Sequence, residues 1–103
     1  METKQVISAL SALAQESRLA IFRLLVQCGP DGLTVSKIGD AIGLAPATLS
    51  FHLKELTHAG LLNAKQEGRF ISYSANFDTM NALLGFLTEN CCGGVPCLPS
   101  APC

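Results

Sequence analysis

From Thr34 to Gly60 the sequence starts and stops a helix twice, and this punctuation limits the architecture more than any other feature. Thr34 offers a hydroxyl N-cap for a helix over Val35 to Ile42, which Gly43 ends. Pro46 then stands in a first helical turn, where a missing N–H costs nothing because those donors have no intrahelical partner. Leu49, Leu53 and Leu56 follow at i, i+4 and i+7 as one buried stripe, leaving Thr48, Ser50, Phe51, Lys54, Glu55 and His58 to point away. Ala59-Gly60 closes this helix, with Gly60 expected in the left-handed conformation. Two short helices joined by a tight glycine-containing turn make a helix-turn-helix.

The flanking segments complete a recognisable order. Thr3 to Ala14 places Val6, Ile7, Leu10, Leu13 and Ala14 on one helical face. A second, more apolar helix starts near Glu16 and is stopped by Gly29-Pro30-Asp31-Gly32. Leu61 to Lys65 and Phe70 to Ala75 read as strands joined by Gln66-Glu67-Gly68-Arg69, a hairpin wing. Asp78 can cap a last helix in which Met80, Leu83, Leu84 and Leu87 share a face. The expected fold is mainly α with a small β-hairpin wing, a winged helix-turn-helix ordered α-α-α-α-β-β-α over residues 1–90. Residues 91–103, with Gly, Pro and Cys and no periodicity, read as a flexible cysteine-rich tail. The last helix's stripe has no evident partner within so small a domain. The first and last helices are therefore expected to pack together and against their symmetry mates, giving a homodimer.

Composition bears on function mainly by exclusion. The chain has 103 residues, 49% of them hydrophobic and 15% charged, enough for one domain whose apolar surplus suits burial between subunits. No apolar run is long enough to span a bilayer, and Met1-Glu2-Thr3-Lys4-Gln5 lacks the pattern of a secretion signal, so a cytoplasmic protein is expected. No Ser/His/Asp arrangement, phosphate loop or carboxylate pair suggests an enzyme. A net charge of -1 opposes nucleic-acid binding, but phosphate contact needs local basicity, which a dimer presents twice on one face. The exposed side of the Pro46 helix offers Thr48, Ser50 and Phe51 to base edges, with His52 at its margin, and Phe51 could touch a thymine methyl. Lys54, and Lys65 and Arg69 flanking the wing turn, would meet phosphates on that same face. Four of the five cysteines fall in the last thirteen residues, too clustered to staple a fold; in a reducing cytoplasm they read as a ligand set. Cys28, ending an apolar helix, reads as a small core residue, and His58 as a surface or DNA-proximal histidine.

Four segments carry a family resemblance: Glu16-Ser17-Arg18-Leu19-Ala20-Ile21, Leu49-Ser50-Phe51-His52-Leu53-Lys54-Glu55-Leu56, Ala59-Gly60-Leu61-Leu62 and Glu67-Gly68-Arg69-Phe70-Ile71-Ser72-Tyr73. In this order and spacing the chain resembles the ArsR/SmtB family of metalloregulatory repressors over roughly residues 3 to 90. The resemblance implies a homodimer that represses an operon by binding an imperfect palindrome of double-stranded DNA and releases it when an ion binds.

Departures from the family direct the choice of ion. Many arsenic-responsive members carry Cys-Val-Cys on the third helix, where this chain has Leu33-Thr34-Val35-Ser36-Lys37-Ile38. Zinc and cobalt sensors use carboxylate and imidazole ligands on the last helix, whereas Asp78 to Asn90 holds no histidine. The ligands then come from the tail, as Cys91, Cys92 and Cys97, with Cys103 an auxiliary fourth; some members resemble this in placing a vicinal pair after the last helix. Thiolates without histidine or carboxylate select soft ions, and three sulfurs suit pyramidal trivalent arsenic or antimony as inducer, with no constitutive cofactor. A thiol redox switch and another soft metal are the alternatives on the same fold. A metal-buffering module would leave the recognition helix and wing without a purpose.

Overall fold

The computed structural model describes residues 1–94, so Cys97 and Cys103 lie outside the described residues. Five helices surround a small three-stranded antiparallel sheet: α1 (Thr3–Leu13), α2 (Glu16–Cys28), β1 (Leu33–Thr34), α3 (Val35–Ile42), α4 (Pro46–His58), β2 (Leu62–Glu67), β3 (Phe70–Ala75) and α5 (Phe77–Leu87), followed by a short turn over Cys91–Gly94. The sheet order is β1-β3-β2. No described helix is long and apolar enough to cross a membrane.

Caps set the helix starts. The Gln5 side chain reaches back to the Glu2 N–H at 2.9 Å, Gln15 accepts from the Arg18 N–H at 2.9 Å, and Thr34 accepts from the Lys37 N–H at 3.4 Å. α5 begins earlier than expected because Asn76 is the cap, accepting from the Thr79 N–H at 3.2 Å; Asp78 lies inside the first turn. At the end of α4, Gly60 has φ +81°, the Gly60 N–H donates to the Thr57 carbonyl and the Leu61 N–H donates to the Leu56 carbonyl, both at 3.0 Å. This is a Schellman closure, and buried Leu56 and Leu61 supply its apolar contact. Leu61 is thereby taken out of the wing, which is why β2 starts at Leu62.

The wing is longer than the sequence pattern suggested. Gln66 and Glu67 pair with Ile71 and Phe70, so the connection shrinks to Gly68-Arg69. Gly68, at φ +62°, occupies the first central position of a two-residue hairpin. The additional strand β1 joins the wing to the body through Leu33 opposite Tyr73 and Thr34 opposite Ser72. Two residues are too few to show a period, so nothing in the sequence announced it.

Ile21, Leu25, Ile38, Leu49, Leu53, Leu56 and Leu61 are fully buried and form the centre of the core, with Val6, Ala9, Phe22, Leu62 and Leu83 around them. Toward this core α1 turns Val6, Ala9 and Ala12, whereas Ile7 and Leu10, expected beside Val6, are exposed. Leu84 and Leu87 of α5 are more than half exposed. An apolar groove of about 310 Å³ opens between α1, α2 and α5, lined by Leu13, Leu19, Phe22, Val26, Met80 and Leu84 among others. Cys28 is exposed at the end of α2 and is not the core residue its apolar neighbours suggested; Leu25, one turn earlier, takes the buried position.

Candidate nucleic-acid interface and thiol pair

Because Leu49, Leu53 and Leu56 are consumed by the core, α4 presents Thr48, Ser50, Phe51, Lys54 and Glu55 to solvent, as its spacing requires. Phe51 is 55% exposed despite its apolar ring. His52 is not at the margin of this face. It is 8% exposed, on the inner side of α4. One residue is 100° of helix turn, enough to move a side chain from the outer face to the core edge.

What holds His52 was not anticipated. The Arg18 guanidinium, at the start of α2, donates Nε–H to the Ala12 carbonyl of α1 at 2.7 Å and lies with Nη1 3.2 Å from His52 Nδ1. Arginine is always a donor, so Nδ1 is the acceptor and the imidazole proton sits on Nε2. The Phe51 and His52 rings meet edge to face, centroids 5.5 Å apart and planes at 60°. The one sequence signal for this arrangement is an arginine ahead of the apolar run of α2.

The wing's two cations occupy different surroundings. Arg69 lines a groove of about 300 Å³ with Phe70, Ile71 and the start of α3 at Thr34, Val35 and Ser36. Lys65 lines another groove with Asp31 and Glu67, and its Nζ is 3.5 Å from the Glu67 carboxylate. Both members of this pair are well exposed, so it contributes under about 1 kcal/mol. Lys65 has two carboxylates, Glu67 and Asp31, along its groove. The two cations thus line different grooves, Arg69 beside the start of α3 and Lys65 beside Asp31.

Past α5, the Cys91 N–H donates to the Thr88 carbonyl at 2.9 Å, starting a turn at the head of the segment read as a flexible tail. Cys92 adopts φ 55°, a left-handed conformation uncommon for a residue with a side chain. The two sulfurs lie 3.6 Å apart. Its contact with Cys92, together with desolvation, holds the Cys91 thiol above its ordinary pKa. A single ion with bonds of about 2.3 Å to each sulfur would subtend an S–ion–S angle of about 100°, compatible with tetrahedral or pyramidal coordination. Among the described residues no third thiol, imidazole or carboxylate joins them.

A helix-turn-helix domain model matches residues 13–63. The uncharacterized HTH-type transcriptional regulator YceK of Bacillus subtilis is 38% identical over 77 residues, covering 74% of this chain and 76% of that protein. Among solved structures, the homodimeric winged helix-turn-helix DNA-binding domain Mb0332 of Mycobacterium bovis, named a possible ArsR-family transcriptional regulator, superposes with a TM-score of 0.68 at 30% identity, over 92% of this chain and 88% of that one. The chain belongs to the ArsR/SmtB family. This ArsR/SmtB chain is also 41% identical over 80 residues to the HTH-type transcriptional regulator NmtR of Mycobacterium tuberculosis, 78% of its own length but 63% of NmtR. It is a winged helix-turn-helix transcriptional regulator, a DNA-binding protein.

Proposed function

We propose that this ArsR/SmtB protein is a dimeric operator-binding repressor released by trivalent arsenic or antimony, captured by Cys91, Cys92 and Cys97, with Cys103 auxiliary. The observation that carries the reading is the pair of thiols 3.6 Å apart directly after α5, which needs only one further sulfur to make a three-thiolate site. Soft thiolates without nitrogen or oxygen donors favour a thiophilic ion. A reducing cytoplasm would keep these thiols available for it.

The dimer is supported by apolar side chains left in solvent on α1 and α5: Ile7 at 58%, Leu10 at 40%, Leu84 at 53% and Leu87 at 56%. Covering them contributes about 25 cal/mol per Å² of apolar area removed from water. Mb0332 is itself homodimeric. On the DNA side, Thr48, Ser50, Phe51 and Lys54 read the major groove from α4, and Arg69, with Lys65 weaker, binds phosphate from the wing. Ion capture at the end of α5 releases DNA by favouring a dimer geometry that the operator disfavours, and a coupling of about 1–3 kcal/mol changes affinity roughly 5- to 150-fold.

The test is fluorescence anisotropy of the reduced protein on its promoter DNA, titrated separately with arsenite, antimonite, zinc and peroxide. Release by arsenite and antimonite alone is the expected result. Release by zinc or peroxide reassigns the thiols to another metal or to redox chemistry, and absence of DNA binding overturns the repressor reading.

A further inference from the structure

We infer that Arg18 is a positioning residue for base reading, acting through His52 on the exposed ring of Phe51. The inference rests on the reading of α4 as the recognition helix. His52 is the one polar side chain buried among the described residues, and its ring nitrogen is held by a guanidinium from another helix, thirty-four positions away in sequence. The same guanidinium holds a carbonyl in the last turn of α1, a group that helix geometry leaves without an intrahelical partner. One rigid planar fork thus fastens the end of α1, the start of α2 and the middle of α4. The imidazole it orients meets Phe51 edge to face, so the ring offered to DNA is set from behind. If α1 shifts against α2, the fork must break or carry His52 with it. A device of this kind makes the geometry of base contacts, and not the strength of phosphate contacts, depend on Arg18.

The experiment uses the full chain and a duplex enriched from a randomised library by the wild-type protein, with a scrambled duplex beside it. Arg18→Lys, Arg18→Met, His52→Leu and His52→Gln are compared by anisotropy over a range of salt, and thermal unfolding fixes the folded fraction of each. Arg18→Lys keeps the charge but not the fork, and His52→Gln keeps an acceptor where His52→Leu does not. The expected result is roughly tenfold weaker binding of the enriched duplex by Arg18→Lys, Arg18→Met and His52→Leu. Binding of the scrambled duplex and the salt slope stay unchanged, and His52→Gln stays within about threefold of wild type. The Arg18→Met, His52→Leu double variant loses no more than either single one. Equal losses on both duplexes would reduce Arg18 to a structural role. A salt slope lowered by about two, one contact per subunit of the dimer, would make Arg18 a phosphate contact, and no loss at all would also overturn the inference. Failure of the wild-type chain to enrich any duplex would instead overturn the DNA-binding reading and this inference with it.

Discussion

Replacing Gly32 with alanine should detach the wing from the body, and the size of the effect can be worked from the backbone. Gly32 has φ +69°, and a Cβ built there would overlap the Tyr73 carbonyl oxygen and stand 2.8 Å from its carbon. The left-handed conformation alone costs a side-chain-bearing residue about 1–2 kcal/mol. The overlap is with backbone, so no rotamer change relieves it; β1 must move away from β3, giving up the Leu33–Tyr73 and Thr34–Ser72 pairing at about 1 kcal/mol per lost hydrogen bond. The sum is about 3–4 kcal/mol, a large part of the 5–15 kcal/mol available to a typical domain. Gly68→Ala is the control: φ is +62° but nothing lies within 4 Å of its Cβ, so only the conformational cost of about 1–2 kcal/mol applies. Urea unfolding of both variants at one fixed protein concentration measures the difference, because association makes stability concentration-dependent. Equal destabilisation of the two, within about 0.5 kcal/mol, would refute the argument that backbone overlap pins β1 to β3.

Other consequences can be checked in parallel. Phe51→Ala should weaken operator binding by about 1.5–2 kcal/mol, at least as much as any Arg18 or His52 substitution, without lowering the melting temperature, and substituting uracil for a contacted thymine should reproduce part of the loss in wild type but not in the variant. Arg69→Ala should weaken binding to any duplex and lower the salt slope by about 1.8, one contact from each subunit of the dimer, and Lys65→Ala should do less because Glu67 and Asp31 already stand beside that charge; the reverse order would refute the assignment. Arsenite should still dissociate DNA from Cys28→Ser but not from the Cys91→Ser, Cys92→Ser double variant, as read by anisotropy. The Cys91 thiol is raised first by its contact with Cys92, so Cys92→Ala should leave more thiolate at a given pH and speed alkylation of Cys91 by iodoacetamide; alkylation followed by mass spectrometry that slows instead would reject this.

Short-range chemistry is what the sequence by itself determined. Thr34, Gly43, Pro46 and Gly60 fix helix starts and stops through hydrogen bonds only a few residues long, and Leu49, Leu53 and Leu56 fix the inner face of α4 by period alone. The helix-turn-helix, the hairpin and the exposure of Thr48, Ser50, Phe51 and Lys54 follow from these. Where partners are distant in sequence, only the tertiary structure decided. The burial of His52 depends on Arg18 from another helix, and β1 exists only because β3 lies beside it. Lys65 differs from Arg69 because the fold brings Asp31 near one and the start of α3 near the other, whereas Glu67, two residues along the same strand, is a neighbour the sequence already gives Lys65. Periodicity ranks each position by its own helix or strand; burial of a polar ring or screening of a charge is a property of pairs, and pairs are made when the elements pack.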